Sequence, residues 1–446
     1  MIRRALAMIV LTAGTARAGG MVLPLRGVRA LERAGALVAG AEDADSLWQN
    51  PAGLALLGGP GKQALLFDAA YVYQTVTYAP IDSAGAPQPS VSNLQPGHGV
   101  PTLAGALGIG ARWVIAGGIT APYGPIHRYA ATGPQRHASV DTTGSMYFVV
   151  TAGAAYKVND HLRVGATIQD VVSRLSQTLV TSGCVGTSAC DPRDASQDLE
   201  LSIHQTDYLA PAGSVGVQYS WSRAVTFGAM VQSPTRVSGS GTLTAHLPSA
   251  TLFDSASISG DRASLAFTLP PSMRAGLEVR PRPELRIEAA IDVELWSVAG
   301  AITLAPDHVQ VLGLAGGPYA MGPVRIGRHY ATSFAPSIGV EWHPRGMMFG
   351  AGYAYETAAT PAGEVSVLSV DAAKHVIGIG GGYEDAGWQI GGAAGIAILA
   401  DVEVTPATAS VVQQAPLHDP STTVPVNGGR YQSLYVIGGL RAARRF

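Results

Sequence analysis

The sequence predicts an all-β membrane protein: an antiparallel outer-membrane β-barrel of about fourteen strands, with an N-terminal hatch plugging its lumen. Three observations predict it. An export signal opens the chain, an alternating run ending in an aromatic closes it, and the connections in between alternate between short and long.

The export signal spans residues 1–18. Arg3 and Arg4 supply its positive region, and residues 5–13 supply an apolar core too short to span a bilayer. Ala16-Arg17-Ala18 is a small-x-small cleavage site that leaves Gly19 as the first mature residue. The residue directly after it is not a cysteine, which argues against a lipoprotein. At the other end, Phe446, Arg444, Ala442, Leu440, Gly438, Val436 and Leu434 follow one another in steps of two. A strand that closes a membrane barrel ends at the interface, where an aromatic ring is well placed. Arg444 departs from this apolar face and is tolerable there only at headgroup level, with its side chain snorkelling.

Composition narrows the class. Hydrophobic residues make up 47% and charged residues 13%, yet no stretch after the signal reaches the ~20 apolar residues of a membrane helix. A barrel reconciles the two, because its strands show lipid only every second residue. The 55 glycines and 29 prolines disfavour a helical bundle. Loss of Arg3, Arg4 and Arg17 with the signal moves the net charge from −2 to −5, which gives no support to nucleic-acid binding.

The strand signal is clearest in residues 285–297. Leu285, Ile287, Ala289, Ile291, Val293 and Leu295 share one face; Arg286, Glu288, Asp292, Glu294 and Trp296 share the other. The preceding strand sets Met273, Ala275, Leu277 and Val279 against Arg274, Glu278 and Arg280. Strands of this kind are expected near residues 62–79, 100–109, 113–121, 144–158, 162–181, 199–221, 224–245, 257–280, 284–304, 328–342, 347–358, 371–384, 387–404 and 431–446. Their connections alternate strictly. Short ones lie at 110–112, 159–161, 222–223, 281–283, 343–346 and 385–386; long ones lie between 79–99, 122–143, 182–198, 246–256, 305–327, 359–370 and 405–430. Membrane barrels have short periplasmic turns and long outer loops, whereas a soluble sandwich has no reason to segregate loop length. Trp113, Trp221, Trp342 and Trp388, four of the six tryptophans, sit beside short turns, with Tyr156, Tyr383 and Phe446; together they read as the periplasmic aromatic girdle.

Residues 19–61 lack this alternation, so the barrel proper is expected at 62–446. Asp43 or Asp45 is placed to cap one short helix and Pro51 to start another. The segment is too apolar for a disordered tail and reads as a plug in the lumen.

These residues carry a resemblance. Arg33-Ala34-Gly35, the acidic-Ala-Asp-Ser-Leu run and above all Asn50-Pro51-Ala52-Gly53-Leu54 resemble the N-terminal hatch of the FadL/TodX family. Leu269-Pro270-Pro271-Ser272, the Asp292 to Ser297 strand, Lys374-His375 through Tyr383, and Ile119 to Gly124 extend it along the mature chain. The resemblance implies a monomeric fourteen-stranded barrel in the bacterial outer membrane, closed by a hatch. Its partners would be hydrophobic small molecules, foremost long-chain fatty acids, or hydrocarbons. They would be captured at the outer surface, admitted by hatch movement, and released sideways through a kink in the third strand. Outer-membrane lipids and lipopolysaccharide would surround it. Gly117, Gly118 and Pro122 are suitable breakers of that strand; equally, the glycines are ordinary barrel residues and Pro122 starts a loop.

Other chemistry has little support. Cys184 and Cys190, the only cysteines, share one outer loop, and an oxidising compartment favours a disulfide worth about 2 kcal/mol or less. No cofactor, metal or enzymatic motif is found: HExxH and G-x-S-x-G are absent. Arg274, Glu278, Arg280, Arg286, Glu288, Asp292, Glu294 and Glu341 face the lumen, where they line a path or, more in keeping with paired charges, hold the hatch through Arg29, Glu32 and Arg33. A polar-solute porin and a non-transporting receptor or structural barrel are the competing readings.

Overall fold

The structure is a computed structural model that describes residues 17–18, 27–122, 126–185, 190–315, 317–418 and 424–446. The proposed signal residues 1–16 and residues 19–26 lie outside the described residues.

Fourteen antiparallel staves close into one barrel. They are β1 (Gln63–Pro80), β2 (Gly97–Ile109), β3 (Trp113–Thr120), β4 (Met146–Lys157) and β5 (Leu162–Ser182). The next five staves are each broken once: β6 (Asp198–Asp207, then Pro211–Ser220), β7 (Val225–Gln232, then Thr235–His246), β8 (Arg262–Leu269, then Ser272–Arg282), β9 (Leu285–Glu294, then Ile302–Asp307) and β10 (Val324–Ile326, then Ser333–Trp342). The last four are β11 (Met347–Glu356), β12 (Lys374–Asp385), β13 (also broken once: Trp388–Leu399, then Val402–Val404) and β14 (Gly429–Arg445). β14 closes on β1 from Ala64↔Arg445 to Pro80↔Gly429. Prolines mark two of the breaks, Pro234 and Pro270-Pro271, where a ladder donor is missing.

Period two decides what each stave shows. In β9, Arg286 and Glu288 are buried inside while Ala289 and Ile291 are exposed outside. The outer face is an apolar belt: Leu440 is 72% exposed, Ile168 73% and Ile390 61%. In water each such residue would forfeit about 1.5–3 kcal/mol of burial, so the belt identifies lipid as its solvent. Among the described residues no helix is long and apolar enough to cross a membrane. The short turns collect at one end. Two of them, at Arg345-Gly346 and Ala386-Gly387, put both central residues at positive φ (49° and 81°, 49° and 82°), as the tightest hairpins require. Trp113, Trp221, Trp342 and Trp388 ring this end, exposed, and Trp113 packs on Tyr156 at 4.6 Å. The long loops collect at the other end. There Ser257–Ser259, Gln310–Leu312 and Tyr319–Ala320 add a small sheet of their own.

β3 is the short stave. Its ladder with β2 ends at Thr102↔Thr120 and its ladder with β4 at Thr120↔Val149. Above that level β2 continues to Gly97 paired only with β1, and β4 continues to Met146 paired only with β5. Among the described residues the wall therefore has no stave between them. The chain returns as a loop hairpin that bonds Leu94 on one side and Thr178 of β5 on the other.

Candidate functional site

Residues 27–58 lie inside the lower half of the barrel, buried almost throughout. Local signals shape the segment. Val28–Glu32 forms one helical turn, whose first N–H is donated to Asp68 of β1 at 3.0 Å. Ala34 and Gly35, both at positive φ, end it. Asp45 precedes a second turn, Ser46–Gln49, without a side-chain cap bond. Asn50 is extended, as a residue before proline should be, and Pro51 opens the 3-10 helix Pro51–Leu57.

Each residue of Asn50-Pro51-Ala52-Gly53 has a physical task. Asn50 Nδ2 donates to the Val38 carbonyl at 3.0 Å and the Val217 carbonyl of β6 at 3.1 Å, while its Oδ1 accepts from Ala52 N–H at 3.2 Å. Pro51 lies against Gly165 of β5, where a Cβ would collide with its carbonyl. Gly53 meets the Ala41 carbonyl so closely that no side chain fits. The same device recurs around the barrel. Gly228, Gly352 and Gly378 face inward against the backbone of Val38, Arg33 and Leu31, and a methyl on any of them would overlap main chain. Inward glycines thus mould the lumen to this segment.

Two ion clusters fix it. In the first, Arg29 forks onto Glu341 (Nε–Oε1 2.7 Å, Nη2–Oε2 2.9 Å), Arg33 meets Glu288 at 2.9 Å, and Arg286 meets Glu278 at 2.9 Å and also Glu42. Arg280 joins Glu278 at 2.8 Å. Glu288 also accepts the backbone N–H groups of Val38, Ala39 and Gly40 at 2.6, 2.8 and 2.9 Å. Four arginines thus face four glutamates, which is what makes so much buried charge tolerable. Burial opposes the ionisation of Glu42, but Arg286, Arg29 and Arg280 outweigh it and draw its carboxyl down to about 2. In the second cluster Arg441 of β14 meets Asp43 at 2.5 Å, Asp45 at 3.2 Å and Asp68 at 3.3 Å. Three carboxylates share one guanidinium, so burial and the neighbouring Asp43 push the Asp45 carboxyl above its usual range.

All eight lumen charges expected from the sequence face inward or into this network. Arg274 bonds Asp292 at 2.7 Å and reaches Gln49, and Glu294 accepts from Trp296 Nε1 at 2.7 Å. Arg29 and Arg33 pair with Glu341 and Glu288. Glu32 is different: its Oε1 is buried without a hydrogen-bond partner, packed between Gly350 and Gly380. Burial and the nearby Glu341 outweigh Arg29, Arg441 and Arg33 and raise its carboxyl to about 7. Arg441, Asp68 and Gln218, whose amide spans the carbonyls of Ala39 and Ala41, were not among the expected residues. Only their inward position on alternating strands could have singled them out.

Gly117 and Gly118 lie within the paired part of β3, opposite Gly105 and Ala152 and opposite Ala104 and Thr151. The ladder does not break at them; it ends at Thr120, ahead of Pro122. Gly118 faces inward, where a side chain would strike Trp48, and Trp48 Nε1 donates to Thr151 of β4 at 3.0 Å. Between the segment and β8 to β12 remains a cavity of about 80 Å³, walled by Arg274, Asp292, Glu294, Ser333, Ser337 and Glu356. Ala30, Ala34, Val38, Ile291 and Val376 complete a mixed lining, and the cavity is smaller than the ~150 Å³ that admits a benzene-sized guest.

Above the segment the lumen changes character. Leu175, Leu201, Val237, Leu265, Phe267 and Leu304 belong to one large buried apolar cluster made by the upper parts of β4 to β10. In the outer loops Cys184 and Cys190 are disulfide-bonded, with Cα atoms 5.9 Å apart. His418 lies beside them, but both sulfurs are taken by the bond.

This architecture has counterparts. The model of the family described as outer membrane protein transport protein (OMPP1/FadL/TodX) matches residues 9–419. A Pseudomonas aeruginosa FadL homologue superposes with a TM-score of 0.74 at 17% identity, covering 96% of this chain and 99% of that one. The P. putida toluene transporter TodX gives 0.64 at 16% identity over 95% and 99%, and the Ralstonia pickettii toluene transporter TbuX 0.60 at 16% over 95% and 99%. Among curated protein sequences none matches the chain significantly. With a family match over nearly its whole length and a closed barrel belted for lipid, the chain belongs to the OMPP1/FadL/TodX family of outer-membrane transport proteins.

Proposed function

We propose that the protein takes up hydrophobic compounds, foremost long-chain fatty acids, and releases them sideways into the bilayer. The observation that carries this reading is the change of lumen chemistry at the level where β3 stops. A greasy solute gains about 25 cal/mol for each Å² of apolar surface it buries among the upper leucines and valines. It gains nothing among the buried ion clusters below. The missing stave above Thr120 offers an exit at the boundary. Residues 27–58 act as the hatch, and Asn50-Pro51-Ala52-Gly53 is its seat. Trp48, against Gly118 and Thr151, sits two residues below the last paired residue of β3, so a shift of the hatch is felt at the exit.

Arg328 favours a carboxylate head on the solute over a bare hydrocarbon. It lies half-buried in the break of β10, bonded to the Tyr330 hydroxyl, and among the described residues no carboxylate comes within 4 Å of it. Expressed in cells lacking fatty-acid uptake, the protein should confer uptake of radiolabelled oleate and not of a small sugar, and Arg328→Gln should cut oleate uptake severalfold. Sugar uptake without oleate uptake would establish the porin reading, and uptake of neither would establish the non-transporting one.

A further inference from the structure

Arg444 stands on the lipid-facing side of β14, in line with Leu434, Val436, Gly438, Leu440 and Ala442. Its register partners are Leu65 of β1 and Trp388 of β13, 53% and 45% exposed on the same outer face. The guanidinium carbon lies 4.7 Å from the Trp388 ring centre and 4.3 Å from that of Phe446. The other arginines of this strand end find protein partners: Arg441 has three carboxylates inside the barrel, and Arg445 donates to the Glu42 carbonyl. Arg444 has none; among the described residues no carboxylate lies within 4 Å of it and no acceptor takes its N–H groups.

A guanidinium is always charged and carries five donors around its edge. Aromatic stacking occupies its faces and leaves those donors unsatisfied. They sit at the short-turn end of the apolar belt, beside the hairpin that joins β12 to β13, at the height of the inner-leaflet headgroups. We propose that Trp388, Arg444 and Phe446 form a binding site for the phosphodiester of an inner-leaflet phospholipid. The phosphate takes the fork of N–H groups, for which its oxygens are the matching acceptor. An acyl chain then runs up the outer face past Leu65 and Leu440. The clamp joins the last stave to its neighbour on one side and the first stave on the other, so the lipid is held across the closure of the barrel.

The test is native mass spectrometry of the purified, detergent-solubilised protein. It is titrated with phosphatidylglycerol, with diacylglycerol carrying the same chains, and with inorganic phosphate. Wild type should retain phosphatidylglycerol, and both Arg444→Gln and removal of the lipid phosphate should lower retention roughly tenfold. Arg345→Gln, on another short turn, should leave retention unchanged. Equal retention by Arg444→Gln overturns the proposal. So does equal retention of diacylglycerol, which would make the belt a purely apolar contact. Free phosphate held as firmly as the lipid would make it a plain anion site. If Arg444→Gln fails to give the heat-modifiable barrel, Trp388→Leu carries the test: it should weaken retention severalfold, and unchanged retention overturns the site.

Discussion

In their upper parts β5, β6, β8 and β9 turn Leu175, Leu201, Leu265 and Leu304 inward, into one apolar cluster. In their lower parts the same staves bury Arg163, Gln218, Glu278 and Glu288, the last three against the N-terminal segment. The outer face does not change along the way. The contrast shows that one period-two strand can carry two interiors, one suited to dissolving a greasy solute and one suited to excluding it. The two are also stabilised differently. The upper cluster gains from burial that is nondirectional and tolerant of repacking. The lower network holds paired charges in fixed geometry, where losing one partner strands the other.

Removing the lower contents altogether should have the largest effect. Deletion of residues 19–58 should leave a folded, heat-modifiable barrel whose ion conductance in planar bilayers rises roughly tenfold or more, since water then fills the lower lumen. Unchanged conductance would mean that the segment does not seal the lumen. Breaking one ion cluster comes next. Arg441→Met leaves Asp45 and Asp68 without their cation and Asp43 with Arg29 alone, and should loosen the seating by about 3–5 kcal/mol. Frequent channel openings should report it, and converting the three aspartates to asparagine in the same variant should largely restore the seal. A leucine-to-alanine change in the upper cluster should instead lower barrel stability without opening the seal.

Proton concentration should act more gently, and only on the lower half. The Glu32 carboxyl titrates near 7 when seated, against an ordinary 4.5. The seated state therefore holds an extra proton between these values. Seating is fully supported below pH 4.5 and loses this contribution as pH rises through 7. Channel openings should increase between about pH 4.5 and 7, and Glu32→Gln should flatten that dependence. A pH profile unchanged by the substitution would show that another group responds.

The strand order was legible in the sequence because the barrel exposes its chemistry locally. Alternation in residues 273–296 fixes which side chains face inward, and loop length fixes which end is periplasmic. The segment 27–58 was legible only as a departure from alternation, together with Asn50-Pro51-Ala52-Gly53. What it touches was not, because those partners are scattered. Arg441 is nearly four hundred positions from Asp43, and nothing local sets it apart from Arg444 and Arg445 on the same strand. The inward glycines were hidden for the opposite reason: glycine is frequent on this chain, and only a neighbour's backbone shows which ones make room. The end of β3 was legible to within a residue, since the expected strand 113–121 stops at Thr120; the role of its glycines was not, for a related cause. Gly117 and Gly118 look like breakers in sequence, but their main chains pair normally, and Gly118 is needed for Trp48 rather than for a kink.

The central claim is sideways release at the boundary between the two interiors, and one crosslink tests it most directly. Continuing the β3–β4 register by one step would set Ala121 opposite Phe148. In a background with Cys184 and Cys190 replaced by serine, Ala121→Cys with Phe148→Cys places a reversible bond across the missing stave. Oxidation should abolish oleate uptake while the barrel stays heat-stable, and reduction should restore it. Normal uptake through the oxidised protein, with the crosslink confirmed by mass spectrometry, would contradict the account and send the solute straight through the lumen.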